Sequence, residues 1–188
     1  MTRLAYFKAY DLRGTVPGEI DAGVAWRLGR ALPAWAAAAE FVVGRDARLS
    51  SPALAEALIR GLVEAGARVR DMGMLTTPML NFAVAQRRCH GVMVTASHNP
   101  SQYNGFKIID PGVEQVYYGR GLETLEPALA GPVPAAGGAG GSVVVDSILG
   151  EYCDLLAEQF RGEPLGPRSV VIDCANGVGA LPLGVLER

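Results

Sequence analysis

"VMVTASHNPSQYNGFKI", Val92–Ile108, carries one apolar run into Ser97, His98 and Asn99, then returns through Asn104-Gly105 into a second apolar run. Gly91–Thr95 reads as a buried strand and Phe106–Asp110 as the next. An Asn-Gly pair between two apolar runs is a strong hairpin signal. The sequence therefore predicts a turn at Asn104-Gly105, one antiparallel pair, and a mixed sheet around it.

Working back toward the amino terminus, strands alternate with helices. Leu4–Ala9 reads as a strand leading into a polar turn over Tyr10–Gly14. Asp21 is placed to cap a helix whose apolar face includes Val24, Leu28 and Leu32, with Pro33 ending or kinking it. Glu40–Gly44 is a strand that ends on Arg45 and Asp46. Ser51-Pro52 suits a helix start, Ser at the cap and Pro in the first turn, followed by a stripe of Leu54, Leu58, Leu62 and Val63 and a stop at Gly66. Arg68–Leu75 is another strand, and Thr77-Pro78 opens a helix through Arg87. This order indicates an α/β domain with a mainly parallel sheet.

Beyond Asp110 the pattern is looser. Gly119–Ala130 reads as a helix, and Gly131–Ser142, GPVPAAGGAGGS, as a surface loop or linker with nothing to pack. Ser147–Phe160 is a helix with Ile148, Tyr152, Leu155 and Leu156 on one face. A new strand is expected from Ser169, then a turn at Asn176-Gly177 and a helix. A single strand–helix half-unit cannot bury its own apolar surface, so the chain is expected to stop just inside a second domain.

Composition narrows the function. The chain has 188 residues, 49% of them hydrophobic, and a formal net charge of −2. That can bury a core, and it offers no basic excess for a nucleic-acid backbone. The amino terminus is too charged for a secretory segment, and no apolar run is long enough to span a bilayer. Cys89, Cys153 and Cys174 are odd in number and lack C-x-x-C spacing, which fits the reducing cytoplasm better than a disulfide framework or a zinc site.

Ser97 has two chemical readings. As a hydrolase nucleophile it needs a histidine base. His98 is its neighbour in sequence, His90 is the only other histidine, and no G-x-S-x-G elbow surrounds it. As a phosphate carrier it needs cations and donors instead. Arg13, Arg45 and Lys107 supply the cations, and His98 and Asn99 supply the donors. In a parallel α/β sheet, groups at the carboxyl ends of strands gather on one rim. Arg13, Arg45 and Ser97 are expected there, with Lys107 joining if its strand runs antiparallel beside Gly91–Thr95.

AYDLRG (Ala9–Gly14), GRDARLS (Gly44–Ser50), GMLTTP (Gly73–Pro78), GVMVTASHNP (Gly91–Pro100) and YNGFKI (Tyr103–Ile108), in this order and spacing, resemble the amino-terminal domain of the α-D-phosphohexomutases. VVIDCANGVG (Val170–Gly179) resembles the start of that family's second domain. The resemblance implies a three-layer α/β/α domain over residues 1–146, then a connecting helix and the incomplete start of a similar domain over 147–188.

It also implies an intramolecular phosphotransferase that interconverts hexose 1-phosphate and hexose 6-phosphate through a bisphosphorylated sugar. Ser97 would carry the phosphate and bind Mg²⁺ through it. Lys107, Arg13 and His98 would serve catalysis, and Tyr10, Asn99 and Arg45 would contact the phosphorylated hexose. A hexose 1,6-bisphosphate would act as intermediate and activator. The family's Asp-Gly-Asp-Gly-Asp metal loop is not in this sequence, so little turnover is expected from these residues alone. The contrasting expectation is a phosphosugar-binding module without catalysis.

Overall fold

Phe41 and Val43 belong to one apolar core cluster and Val42 to another, and all three are fully buried. A strand covered on both faces belongs in the middle of three layers. The computed structural model describes residues 4–133, 140–162, 166 and 169–187. Its sheet comprises β1 (Leu12–Thr15), β2 (Glu40–Arg45), β3 (Arg68–Met74), β4 (His90–Val94), β5 (Tyr103–Ile109) and β6 (Ser142–Val145). They lie in the order β1-β5-β4-β2-β3-β6. The pairings β2–β3, β2–β4 and β3–β6 are parallel, and β5 is antiparallel to both β4 and β1. Five strands thus run one way, and β5 alone is reversed.

On one face pack α1 (Ala22–Ala36), α2 (Ser51–Glu64) and α4 (Leu122–Ala130), through Leu28, Leu32, Leu54, Leu58, Leu62, Leu122 and Leu125. On the other lies α3 (Thr77–Arg87), with Met79, Leu80, Ala83 and Val84 buried. Ile148 and the start of α5 (Leu149–Gln159) join that second cluster. Among the described residues, no helix is long and apolar enough to cross a membrane. Asp21 caps α1 as its sequence predicts, its Oδ1 accepting the Val24 N–H at 2.8 Å.

Several local expectations are corrected. Leu4–Ala9 forms no strand; Phe7 makes one isolated bridge to Leu12, and the strand is Leu12–Thr15. The chain doubles back there, so that the Arg13 N–H reaches the Tyr6 carbonyl at 2.7 Å. Pro33 does not end α1, which runs on to Ala36 and closes on Ala37 in the left-handed region. The α2 cap is Ser50, one residue earlier than predicted.

Asn104-Gly105 is not the hairpin turn. It lies inside β5, and the reversal is made by the residues between Thr95 and Gln102. Asn104 is fully buried, its amide donating to Ser50 and Ser51 Oγ at 2.8 and 2.9 Å. Ser142 ends no linker but begins β6, on the outer edge of β3, while residues 134–139 of that stretch lie outside the described residues. From Ser169 to Cys174 no strand forms among the described residues. Val171 there is 95% exposed, and the chain continues into a 3₁₀ helix at Val178–Glu187.

α1 and α2 approach each other over Gly29 and Gly61. A Cβ on Gly61 would lie 2.2 Å from the Trp26 carbonyl oxygen, and one on Gly29 2.2 Å from that of Leu58. Both obstacles are backbone, so the helices would have to separate. Gly61→Ala is therefore expected to cost about 2 kcal/mol through overpacking, read as a lower urea midpoint at an unchanged slope.

Candidate functional site

The reversal of β5 builds the site. Leu12 pairs with Phe106 and Arg13 with Gly105 across β1–β5, so the same register sets Asp11 opposite Lys107. Side chains alternate along strands, which puts Asp11, Arg13 and Lys107 on one face. Gly105 leaves room beside Arg13, since a Cβ there would lie 2.1 Å from the Leu12 carbonyl.

Asp11 Oδ2 accepts from Lys107 Nζ at 2.8 Å and from Arg13 Nη2 at 2.5 Å. Asp11 is only 4% exposed. A carboxylate buried this far is tolerable only when paired, and here one oxygen fixes two cations. These three residues line a cleft of about 460 Å³ with Lys8, Ala9, Tyr10 and Gln115. Tyr10 stands 69% exposed beside it, its ring centroid 6.3 Å from that of Tyr117. Gln115 Nε2 donates to the Tyr10 carbonyl.

Arg13 also links the cleft to the serine loop, with Nη1 donating to Asn99 Oδ1 at 3.2 Å. Ser97 follows the carboxyl end of β4, exposed, with a left-handed φ of +55°. That conformation costs a non-glycine residue about 1–2 kcal/mol, so the surroundings must hold it. The Ser97 N–H donates to Thr95 Oγ1 at 3.0 Å, and Thr95 Oγ1 donates to Asp46 Oδ2 at 2.7 Å. The Asn99 N–H closes the bend on the Ala96 carbonyl at 3.1 Å.

His98 Nδ1 lies 3.2 Å from Ser97 Oγ, and His98 is exposed. His90 begins β4 at the opposite end of the strand, packed on Phe41 with ring centroids 5.7 Å apart. It cannot serve Ser97. Among the described residues no acid orients His98, so the base–orienter pair of a serine hydrolase is not assembled.

The structure thus brings together Ser97, His98, Asn99, Arg13 and Lys107, with Tyr10 on the cleft side. Arg13 does not follow the carboxyl end of a parallel strand; it lies inside β1. Lys107 lies mid-strand in β5, paired with Met93 of the antiparallel neighbour, and does not open its strand. Arg45 ends β2 and, among the described residues, makes no ion pair; Asp46 is taken by Arg48, whose Nε is 3.2 Å away.

Sequence reasoning missed Asp11, Asp46, Thr95 and Arg48. The Asp-x-Arg pattern recurs at Asp11/Arg13 and Asp46/Arg48 and was the available signal, but only the strand register shows what each acid holds.

Residues 4–116 match the family model described as phosphoglucomutase/phosphomannomutase, alpha/beta/alpha domain I. A phosphoglucomutase of Neisseria meningitidis serogroup B is 40% identical over 97% of this chain, and a phosphomannomutase of Salmonella typhimurium 37% over all of it. The chain spans 40% and 42% of their lengths. A crystal structure of a phosphoglucomutase/phosphomannomutase family protein from Burkholderia thailandensis superposes with a TM-score of 0.74 at 34% identity, covering 84% of this chain and 36% of its own.

Two predictions follow from the charge placement. Asp11→Asn removes the charge that Arg13 and Lys107 share. Both retain some solvent, so a loss on the order of 2–3 kcal/mol is expected, with the cations freed to sample the cleft; chemical denaturation and the Lys107 side-chain NMR signals report the two effects. Burial pushes the His90 pKa below its usual 6.5, against a smaller opposite pull from Asp110. The unfolded chain then binds that proton more readily, so stability falls as pH drops through about 6.5 toward the lower folded value. Urea midpoints should show this slope, reduced in His90→Gln. The match of the domain I model over residues 4–116, together with 34–40% identity to these relatives, shows it: the chain belongs to the phosphoglucomutase/phosphomannomutase family.

Proposed function

We propose that this chain is the phosphate-carrying part of a phosphohexomutase. The observation that supports it best is the setting of Ser97: an exposed hydroxyl on a strained bend, beside an imidazole nitrogen, in a loop that Asn99 ties to one of two cations sharing a buried acid. Such a frame suits a dianionic phosphoserine better than an alkoxide nucleophile.

In the forward step a hydroxyl of the hexose phosphate attacks phosphorus, a new sugar O–P bond forms, and the Ser97 Oγ–P bond breaks. The hydroxyl proton leaves the sugar, and Ser97 Oγ recovers one. The bisphosphorylated sugar turns over, and its other phosphoryl group returns to Ser97. Phosphoryl transfer is mostly positioning and charge neutralisation. Lys107 and Arg13 supply positive charge at the cleft, His98 is placed to exchange a proton with Ser97 Oγ, and Asn99 fixes Arg13 against the loop. Tyr10 offers an exposed ring for a sugar face. Arg45, which makes no ion pair among the described residues, stands at the end of β2 as a contact for the substrate.

The carboxylates tied to this loop do not make a magnesium site. Asp11 is committed to Arg13 and Lys107, and Asp46 to Arg48, Thr95 and Ser51. Among the described residues no group of three or more acids, histidines or cysteines could hold a metal.

Incubation with phosphorus-labelled glucose 1,6-bisphosphate, followed by peptide mapping, tests the reading. One phosphoryl group on the Ser97 peptide is expected, with none in Ser97→Ala. Label on another residue, or equal label in Ser97→Ala, would remove Ser97 from this role.

A further inference from the structure

Arg48, in the turn between β2 and α2, reaches the back of the serine loop, and both of its Nη groups are fully used. Nε forms an ion pair with Asp46 Oδ2 at 3.2 Å. Nη1 donates to the Pro100 and Tyr103 carbonyls at 2.8 and 3.0 Å, and Nη2 to those of Ser97 and Asn99 at 3.0 and 2.6 Å. The four Nη–H groups are thus committed to loop carbonyls, and Nε faces Asp46 rather than a ligand. Whatever Arg48 contributes, it contributes through the loop.

Its effect on the backbone follows from peptide geometry. In a trans peptide the carbonyl and the next N–H point in opposite directions. Drawing the Ser97 carbonyl toward Arg48 therefore turns the His98 N–H away from it, and drawing the Pro100 carbonyl does the same for Ser101. Neither N–H has a hydrogen-bond partner among the described residues. The same bonds hold Ser97 in its left-handed conformation, where successive amides can form a concave anion site.

We propose that Arg48 is the positioning residue of the phosphoryl-transfer loop. Anchored on Asp46, it gathers four carbonyls behind the loop so that the free His98 N–H faces the oxyanion on Ser97. This rests on the reading of Ser97 as a phosphate carrier. Lysine cannot replace it, because one nitrogen with three donors cannot span four carbonyls and an acid.

The test uses Arg48→Lys and Arg48→Ala in the chain as it stands. Amide hydrogen exchange at Ser97, Asn99 and Tyr103 is expected to rise at least about 10-fold in both, with helix and sheet amides unchanged. The rate of Ser97 labelling by glucose 1,6-bisphosphate should fall about 100-fold, as for a misplaced reacting group, while the bisphosphate concentration for half-maximal rate stays put. Guanidinium at a non-denaturing concentration should restore protection and labelling to Arg48→Ala, and methylammonium should not.

Loop exchange equal to that of the parent chain in Arg48→Lys would overturn the proposal, as would rescue of Arg48→Ala by methylammonium. If the parent chain takes up no label, the phosphoserine reading fails while exchange and guanidinium rescue still decide what Arg48 does. Should Arg48→Lys not fold, Arg48→Gln, which keeps polarity without the fork, is read by the same exchange measurement.

Discussion

β5 runs antiparallel between β1 and β4, and the arrangement of the site depends on that one reversal. Had β4 been followed by another crossover helix, the residues after Thr95 would leave the sheet and Lys107 would lie elsewhere. Instead the chain bends at once and returns. The bend becomes the serine loop, and the returning strand carries Lys107 to a position opposite Asp11. A sheet otherwise built from one direction of strand thus acquires a rim with side chains from β1, the β4–β5 bend and β5 within a few ångströms of each other.

Two acids hold this rim, each in a different way. Asp11 is a charge anchor: one buried oxygen fixes the Arg13 and Lys107 side chains, which face the cleft. Asp46 is a backbone anchor, reaching the serine bend through Thr95 and through Arg48. Arg13 connects the two systems by its bond to Asn99. Pairing in both places offsets the desolvation that an isolated buried charge would suffer. It also keeps cationic groups fixed on a protein whose formal net charge is −2. Cations already held in place need no rearrangement when an anion arrives.

Much of this was legible from residue patterns, and the failures have physical causes. The Asp21 cap and the Leu28/Leu32 and Leu54/Leu58/Leu62 stripes are local, and helices obey local rules. Asn104-Gly105 misled because an Asn-Gly pair was taken for its turn propensity. Its actual duties are tertiary: Asn104 bonds the start of α2, and Gly105 lets β1 pass close by. Ser142–Val145 was hidden by the glycines before it, although three consecutive valines favour a strand. The strand expected from Ser169 has no paired neighbour among the described residues, and a strand exists only by pairing. Arg48 and Asp11 were invisible for a related reason: their partners are set by register and by a bend, neither of which spacing along the chain encodes.

The serine itself shows why geometry has to complete a motif. A hydrolase must strip a proton from its serine, which requires a base whose far nitrogen is held by an acid. Here the nearby imidazole belongs to the adjacent residue, stands in solvent, and has no acid behind it among the described residues. The other histidine lies at the far end of the same strand. The surroundings are instead rich in groups that tolerate negative charge: two cations on a shared acid and amides without partners among the described residues, on a bend braced by a third cation. A hydroxyl in such surroundings gains little as a free nucleophile, whereas a phosphate ester on it would find its charge already balanced. That is the setting the proposed carrier role requires: a phosphoryl group held on Ser97 and given up to an acceptor that brings its own hydroxyl.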